Sequence, residues 1–293
     1  MRKVKKAATP YLFLAPTIIL MVVLLVIPIC MIFHYSFLNN AIVEKSPEIV
    51  GFKNYSKILG DRDFWNAVRN TIFFVLVSVA AHMGLGMGFA MLLNSSYFTR
   101  KTKTIARVIY VLPWMFTASV IAILWKLMLQ PQGIVDYLLA FVHLATKDTQ
   151  WLSERSVALY TITFVNIWCG YPFYMISLLA GLQGISNDLY ECSALDGAAS
   201  GQQFLHITVP QLKPIIISIS MLDFVWSIQS FAVIWMMTGG GPAKKTETLS
   251  IFIYKLAFNS SKYALASAAS VIVLIICIIA AVFYVRQQKK ARD

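Results

Sequence analysis

Charge is scarce in this chain: 13% of its 293 residues are Asp, Glu, Lys or Arg, against 58% that are hydrophobic. A water-soluble domain with that balance would lack the polar surface to cover its own apolar bulk. Cysteines number four, Cys30, Cys169, Cys192 and Cys277, far apart and without a CxxC pair. A zinc ribbon, a redox motif and a disulfide-rich secreted scaffold are therefore not expected. Acidic residues are few as well, 13 against 25 Lys and Arg, for a net charge of +12. No basic, aromatic-interleaved domain stands apart from the apolar runs, so the excess reads as topological anchors and contacts to anionic membrane lipid, with no nucleic-acid partner.

Motifs that carry chemistry are missing too. His34, His82, His143 and His206 are scattered, with no HExxH and no GxSxG around them, so neither a metal site nor a nucleophilic enzyme is indicated. Gly84-Leu-Gly86-Met-Gly88 sits inside an apolar run and precedes no βαβ pattern, and Gly239-Gly-Gly-Pro242 with Lys244, Lys245 and Thr246 does not fit a phosphate loop. The spacing of Gly84 and Gly88 instead suits close approach of another helix. The chain is expected to have no catalytic activity and no cofactor of its own. Any uphill work would then draw on an ion gradient or on a separate ATPase.

What is present is six long apolar runs, roughly Tyr11 to Phe33, Thr71 to Leu93, Val108 to Leu129, Leu159 to Leu182, Leu212 to Thr238 and Ala264 to Val285. Each approaches or exceeds the ~20 residues that cross a bilayer as helix, and the runs are continuous rather than alternating. The expected fold is an all-α integral membrane protein of six transmembrane helices. Basic residues cluster at Arg2, Lys3, Lys5 and Lys6, at Arg100, Lys101, Lys103 and Arg107, and at Arg286, Lys289, Lys290 and Arg292. Those clusters share one side if six helices alternate, which places both termini in the cytoplasm. Most acidic residues, among them Glu44, Glu48, Asp61, Asp63, Asp136, Asp148, Glu154 and Glu247, fall in the opposite loops. The first run is too long for a usual secretory signal and no A-x-A-like site follows it, so it reads as a retained helix.

With that topology Gln183 to Gln211 is the largest cytoplasmic segment. Asp188 followed by Glu191 resembles a capping box that starts a short helix, Asp196-Gly197 supplies a stop, and Phe204 and Ile207 begin a second helical stretch that Pro210 and Pro214 punctuate. A short helix, a turn and a second helix form a knob that suits a groove on a soluble partner. Glu191-Cys-Ser-Ala194-Leu-Asp196-Gly197-Ala, then Phe204, Ile207 and Pro210, resemble the EAA motif of permease subunits in ATP-binding-cassette importers, with Cys192 and Ser193 in place of two alanines.

Leu14-Ala-Pro16, Gly51-Phe-Lys-Asn54-Tyr55, Leu112-Pro113-Trp114 with Trp125, Gly170-Tyr-Pro172-Phe173 and Thr238-Gly-Gly-Gly-Pro242 with Thr246-Glu247-Thr-Leu249 resemble the carbohydrate branch of that family, of the type of the first permease in maltose and glycerol-3-phosphate systems. The resemblance implies that Glu191, Ala194, Asp196, Gly197, Phe204 and Pro210 couple to a cytoplasmic ATPase. It also implies a second homologous permease in a heterodimer, two ATPase copies that bind ATP and Mg, an extracytoplasmic solute-binding protein and a sugar substrate. The location implied is the bacterial cytoplasmic (inner) membrane. The domain plan is residues 1–10 as a basic cytoplasmic amino terminus, 11–286 as the permease domain with its coupling segment at about 185–210, and 287–293 as a basic cytoplasmic carboxyl terminus.

Asp223 lies within the fifth run, and Trp226, Ser227 and Ser230 follow at i+3, i+4 and i+7. Those offsets draw one helical face with a carboxylate, an aromatic plate and two hydroxyls, a set that suits a sugar's hydroxyls and its C–H face. The residues alone leave open whether Asp223 lines a pathway or pairs with a neighbouring helix. The resemblance favours lining, together with Gly170 and Phe173, with Asn166 and Gln229 as weaker candidates and Lys126 snorkelling to the outer interface. A proton-coupled carrier that uses Asp223 is the alternative reading.

Overall fold

The structure, a computed structural model, describes residues 13–39, 41–44, 46–95, 97–141 and 149–290, with the side chains of 287–290 left aside. Arg2, Lys3, Lys5 and Lys6 of the expected basic amino terminus, His143, Asp148, Arg292 and the side chains of Lys289 and Lys290 lie outside the described residues. In chain order the helices are α1 (Phe13–Ser36), α2 (Lys53–Leu59), α3 (Arg62–Asn94), α4 (Arg100–Met115), α5 (Ala118–Met128), α6 (Ile134–Phe141), α7 (Ala158–Gln183), α8 (Asn187–Leu195), α9 (Ser200–Ile228), α10 (Ala232–Thr238), α11 (Leu249–Asn259) and α12 (Tyr263–Lys290). Among the described residues extended pairing is limited to one isolated bridge, Leu38 to Ile49. The fold is all-α, and α1, α3, α7, α9 and α12 are each long and apolar enough to cross a membrane, with α4 and α5 as a sixth, bent pair.

Two of the expected runs are broken. The third is not one rod: α4 and α5 meet at 98°. Phe116 and Thr117 are both extended there, and Thr117 Oγ1 accepts the Val120 amide at 3.4 Å, so a threonine N-cap opens a new helix inside the apolar stretch. The fifth run stops at Ile228 and resumes at Ala232. A carbonyl released by that break, that of Ser230, accepts the Ser250 hydroxyl at 2.6 Å, which satisfies it away from water.

Contacts divide the chain into two compact units, residues 1–62 with 253–276 and residues 63–252 with 277–293. In the first, the end of α1 is tied down by Asn54, whose Nδ2 donates to the carbonyls of Ser36 (2.9 Å) and Leu38 (2.8 Å), while Tyr55 OH lies 2.7 Å from Ser36 Oγ. The Gly51–Tyr55 string thus closes a helix terminus that would otherwise present unpaired carbonyls. In the second unit, a core of Met87, Ala90 and Leu93 from α3, Tyr174, Met175, Leu178, Leu179 and Leu182 from α7, and Leu212 and Ile219 from α9 packs the three helices together.

The loop between α10 and α11 belongs to the second unit and is closely bonded. Asn66 and Asn70 donate to the Lys244 carbonyl at 2.8 and 3.1 Å, Asn70 also reaches the Glu247 carbonyl at 3.0 Å, and Thr71 Oγ1 accepts the Leu249 amide at 2.9 Å. Gly239 and Gly240 hold φ of 59° and 86°, a region open to glycine and strained for other residues. The glycine-rich string is therefore a shaped loop stapled to α3.

Within this chain the close approach in α3 falls at the middle glycine of the string. Among the described residues no atom of another element lies within 4 Å of the place a Cβ would take at Gly84 or Gly88, whereas a Cβ at Gly86 would overlap Tyr174 Cβ and stand 3.0 Å from the Met175 nitrogen. The close crossing is at Gly86, against α7. Gly86→Ala should therefore lower the stability of the detergent-solubilised chain by about 1–3 kcal/mol, the usual cost of overpacking. Gly84→Ala should leave the melting temperature unchanged, and equal melting of the two variants would contradict the crossing.

Candidate functional site

The knob expected between the fourth and fifth runs is built around α8. Its N-cap is Ser186, whose Oγ accepts the Asp188 amide at 3.3 Å, so the helix opens two residues before the expected Asp188 start. It ends at Leu195 with Asp196 as its C-cap, and Gly197 turns the chain at φ +83°, with its amide on the Ala194 carbonyl (3.1 Å) and the Ala198 amide on that of Ser193 (2.9 Å). This is the glycine-terminated helix end expected from Asp196-Gly197. None of the α8 residues is buried.

The second helical stretch and the fifth span are one helix, contrary to the expected punctuation at Pro210 and Pro214. α9 starts at Ser200, where the Ala199 amide donates to Gln202 Oε1 at 2.8 Å. A widened π-type turn at Phe204–Thr208 ends two residues before Pro210. An ordinary turn would set the proline ring against the preceding carbonyl, and the wider turn relieves that contact without ending the helix. Side chains brace α8 against this junction: Tyr190 OH lies 2.9 Å from Thr208 Oγ1, and Gln203 Nε2 donates to the Tyr190 carbonyl (3.2 Å) and to Ser193 Oγ (2.9 Å). Glu191, Ala194, Asp196, Gly197 and Pro210 are exposed, and Phe204 is half-buried against the core. A recess of about 330 Å³ opens beside the turn, lined by Ser193, Asp196, Gly197, Gln203 and His206.

Farther along α9 a polar cluster is buried between three spans. Asp223 Oδ2 lies 2.8 Å from His82 Nδ1 on α3 and accepts the Tyr174 hydroxyl of α7 at 2.9 Å, while Oδ1 accepts Ser227 Oγ at 3.2 Å. The other imidazole nitrogen, His82 Nε2, is 3.1 Å from the Asn166 carbonyl, and Asn166 Nδ2 donates to Ser78 Oγ at 2.9 Å. Glycine makes the arrangement possible: a Cβ at Gly170 would overlap the His82 imidazole. His82 and Gly86, four residues apart on α3, face Gly170 and Tyr174, four apart on α7, so each helix offers one side chain and one gap.

Of the four-residue face expected on this helix, only Trp226 is open. Asp223 and Ser227 are turned into the helix contacts, where their polar atoms pair, and Ser230 falls beyond the helix end at Ile228, out of register with Asp223. Gly170 makes room for His82. Trp226 is 50% exposed and its ring lies 5.4 Å from that of Phe173, which in turn is 6.1 Å from Trp114 of α4, itself 49% exposed. Three helices thus contribute to one accessible aromatic strip. Gln229 is an exposed residue at the end of α9, and Lys126 is exposed at the rim of a recess of about 620 Å³ with Trp151 and Thr238. Trp151 donates its indole N–H to buried Asp136. Sequence reasoning missed His82, Tyr174 and Trp114. An imidazole in the middle of an apolar run is as anomalous as Asp223, and that signal was present at His82.

Residues 83–293 match the family described as the binding-protein-dependent transport system inner membrane component. The chain belongs to this family. It is 30% identical, over 99% of its length and 97% of the relative's, to the trehalose/maltose transport system permease protein MalF of Thermococcus litoralis. In fold it is similar to a crystal structure of a bacterial ABC transporter involved in import of the acidic polysaccharide alginate, with a TM-score of 0.85, 22% identity and coverage of 99% of this chain and 98% of the other. It is also similar, with a TM-score of 0.82, 22% identity and coverage of 97% and 94%, to the alginate transporter in complex with an alginate pentasaccharide-bound periplasmic protein. As a family member the chain is a multi-span membrane component of a transport system, and the proton-coupled alternative finds no support in these relationships.

The cluster makes a stability prediction. Gly170→Ala should displace the His82 ring and cost about 1–3 kcal/mol, read as a lower melting temperature of the solubilised chain. Unchanged melting would mean that His82 has slack against α7.

Proposed function

We propose that this chain forms half of the translocation pathway of a sugar importer powered by a separate ATPase. On this reading it pairs with a second homologous permease, two ATPase copies bind ATP and Mg, and an extracytoplasmic solute-binding protein delivers the sugar. Both termini, residues 1–10 and 287–293, face the cytoplasm, and residues 11–286 form the permease domain.

The observation that carries the reading is α8. It is a helix with no buried residue that displays Leu189 and Leu195, 43% and 89% exposed, yet it is braced onto a membrane span by Tyr190 and Gln203. Apolar groups on a rigid protruding helix suit a groove on a partner, and a brace lets a push on the helix reach the span. In this role Glu191, Ala194, Asp196 and Gly197 supply the docking surface and the turn of the coupling segment, while Phe204 and Pro210 form its junction with α9.

On the pathway side, Trp226 and Phe173, joined by Trp114, offer apolar plates for the C–H faces of a sugar. Gly170, Asp223 and Ser227 support that strip from behind, and Ser230 shapes the break after α9. A sugar as cargo is supported by relatives named for trehalose/maltose and for alginate.

Gly197→Pro tests the coupling. Proline holds φ near −65° and cannot adopt +83°. In cells carrying the complete importer, the variant should insert at wild-type level and lose uptake of 14C-labelled maltose and trehalose. Wild-type uptake by this variant would refute coupling through the knob, and a wild-type importer that takes up neither label would count against these sugars as cargo.

A further inference from the structure

The proton count of the buried cluster follows from its geometry. The Asn166 carbonyl can only accept, so His82 Nε2 carries a hydrogen. The 2.8 Å contact between His82 Nδ1 and Asp223 Oδ2 needs a second proton between them. Two protons shared by an imidazole and a carboxylate leave the pair without net charge, whether the inner proton sits on nitrogen or on oxygen. The remaining carboxylate contacts are the hydroxyls of Tyr174 and Ser227, both donors. Among the described residues the further titratable groups set against Asp223 are Tyr174 and Cys169 of α7, and neither is a cation.

We infer that His82 is a positioning residue: with Asp223 it forms a net-neutral buried pair that fixes α9 against α3 and α7 and thereby holds Trp226 beside Phe173. This rests on the reading of the aromatic strip as the sugar-facing surface. It departs from a sugar-contacting Asp223, because that carboxylate is buried with both oxygens bonded to His82, Tyr174 and Ser227, and Trp226, one turn along α9, is the open group. The pair is a device for placing an exposed ring by means of a hidden bond.

Substitutions separate this role from its alternatives. In Asp223→Asn an amide nitrogen in the Oδ2 position can donate one hydrogen to Nδ1 of a neutral imidazole whose Nε2–H still reaches Asn166 and the other to the Tyr174 hydroxyl oxygen, while the amide oxygen, in the Oδ1 position, still accepts from Ser227. His82→Leu, in contrast, leaves a buried carboxylate with hydroxyl partners alone, the situation in which breaking one half of a buried pair is most damaging. In the assembled importer, uptake of 14C-labelled maltose and trehalose should fall at least about ten-fold in His82→Leu and less than about three-fold in Asp223→Asn, and the double variant His82→Leu/Asp223→Asn should recover most of the loss of the single histidine variant. A residue that merely packs would give a double variant no better than the worse single one.

Severe loss in Asp223→Asn, or no rescue in the double variant, would overturn the inference; the first result would also return Asp223 to the sugar-contacting group. Melting temperatures of the solubilised chains should follow the same order. They decide the pair even if the wild-type importer carries neither sugar, an outcome that bears only on the proposed cargo.

Discussion

A hydrogen bond of 2.8 Å between His82 and Asp223 is the constraint around which the larger unit is arranged. An ionisable group inside an apolar bundle is tolerated only when it is paired, and pairing here needs three helices at close range. Gly170 gives the imidazole its space, Gly86 lets α7 approach α3, and Tyr174, placed by that approach, donates the second hydrogen bond to the carboxylate. Loss of either glycine would push apart the groups that make the charge acceptable. The packing and the electrostatics are one design, since the interlocked side chains and gaps of α3 and α7 are the same residues that neutralise α9.

Helix α9 joins the two sites. From Gln203, which braces the knob, to Asp223 is 20 residues of continuous helix, about 30 Å at 1.5 Å per residue. That is comparable to the hydrocarbon thickness of a bilayer. A displacement of α8 by the proposed ATPase partner therefore reaches the polar cluster along one element rather than through a relay of loops. The π-type turn before Pro210 is what keeps this element whole, because it accommodates a proline where the helix would otherwise break.

Much of this was legible in the sequence. Six apolar elements, the exposed helix at Asn187–Leu195 and the Gly197 turn follow from run length, capping chemistry and the need for positive φ, all of which are local properties. What was not legible depends on partners distant in sequence. The third run gave no periodicity signal for its 98° bend, which rests on Thr117 acting as a cap within apolar surroundings. Pro210 and Pro214 read as stops because an isolated helix would stop there, whereas packing and a widened turn carry α9 through. Asp223 was visible as an anomaly, but its partner is His82, 141 residues away, and a helical-wheel argument on one span cannot see a residue on another.

The most direct test of α9 as the link is a distance. Spin labels at Leu195→Cys on α8 and Gln229→Cys at the far end of α9, in a chain with its four native cysteines replaced by serine, can be measured by pulsed electron resonance in the assembled transporter with and without ATP. If the knob and the span move as one body, the interspin distance distribution stays the same in both states. A shift of one helical turn, about 5 Å, would mean that the knob slides on α9 and that the nucleotide signal reaches the cluster by another route.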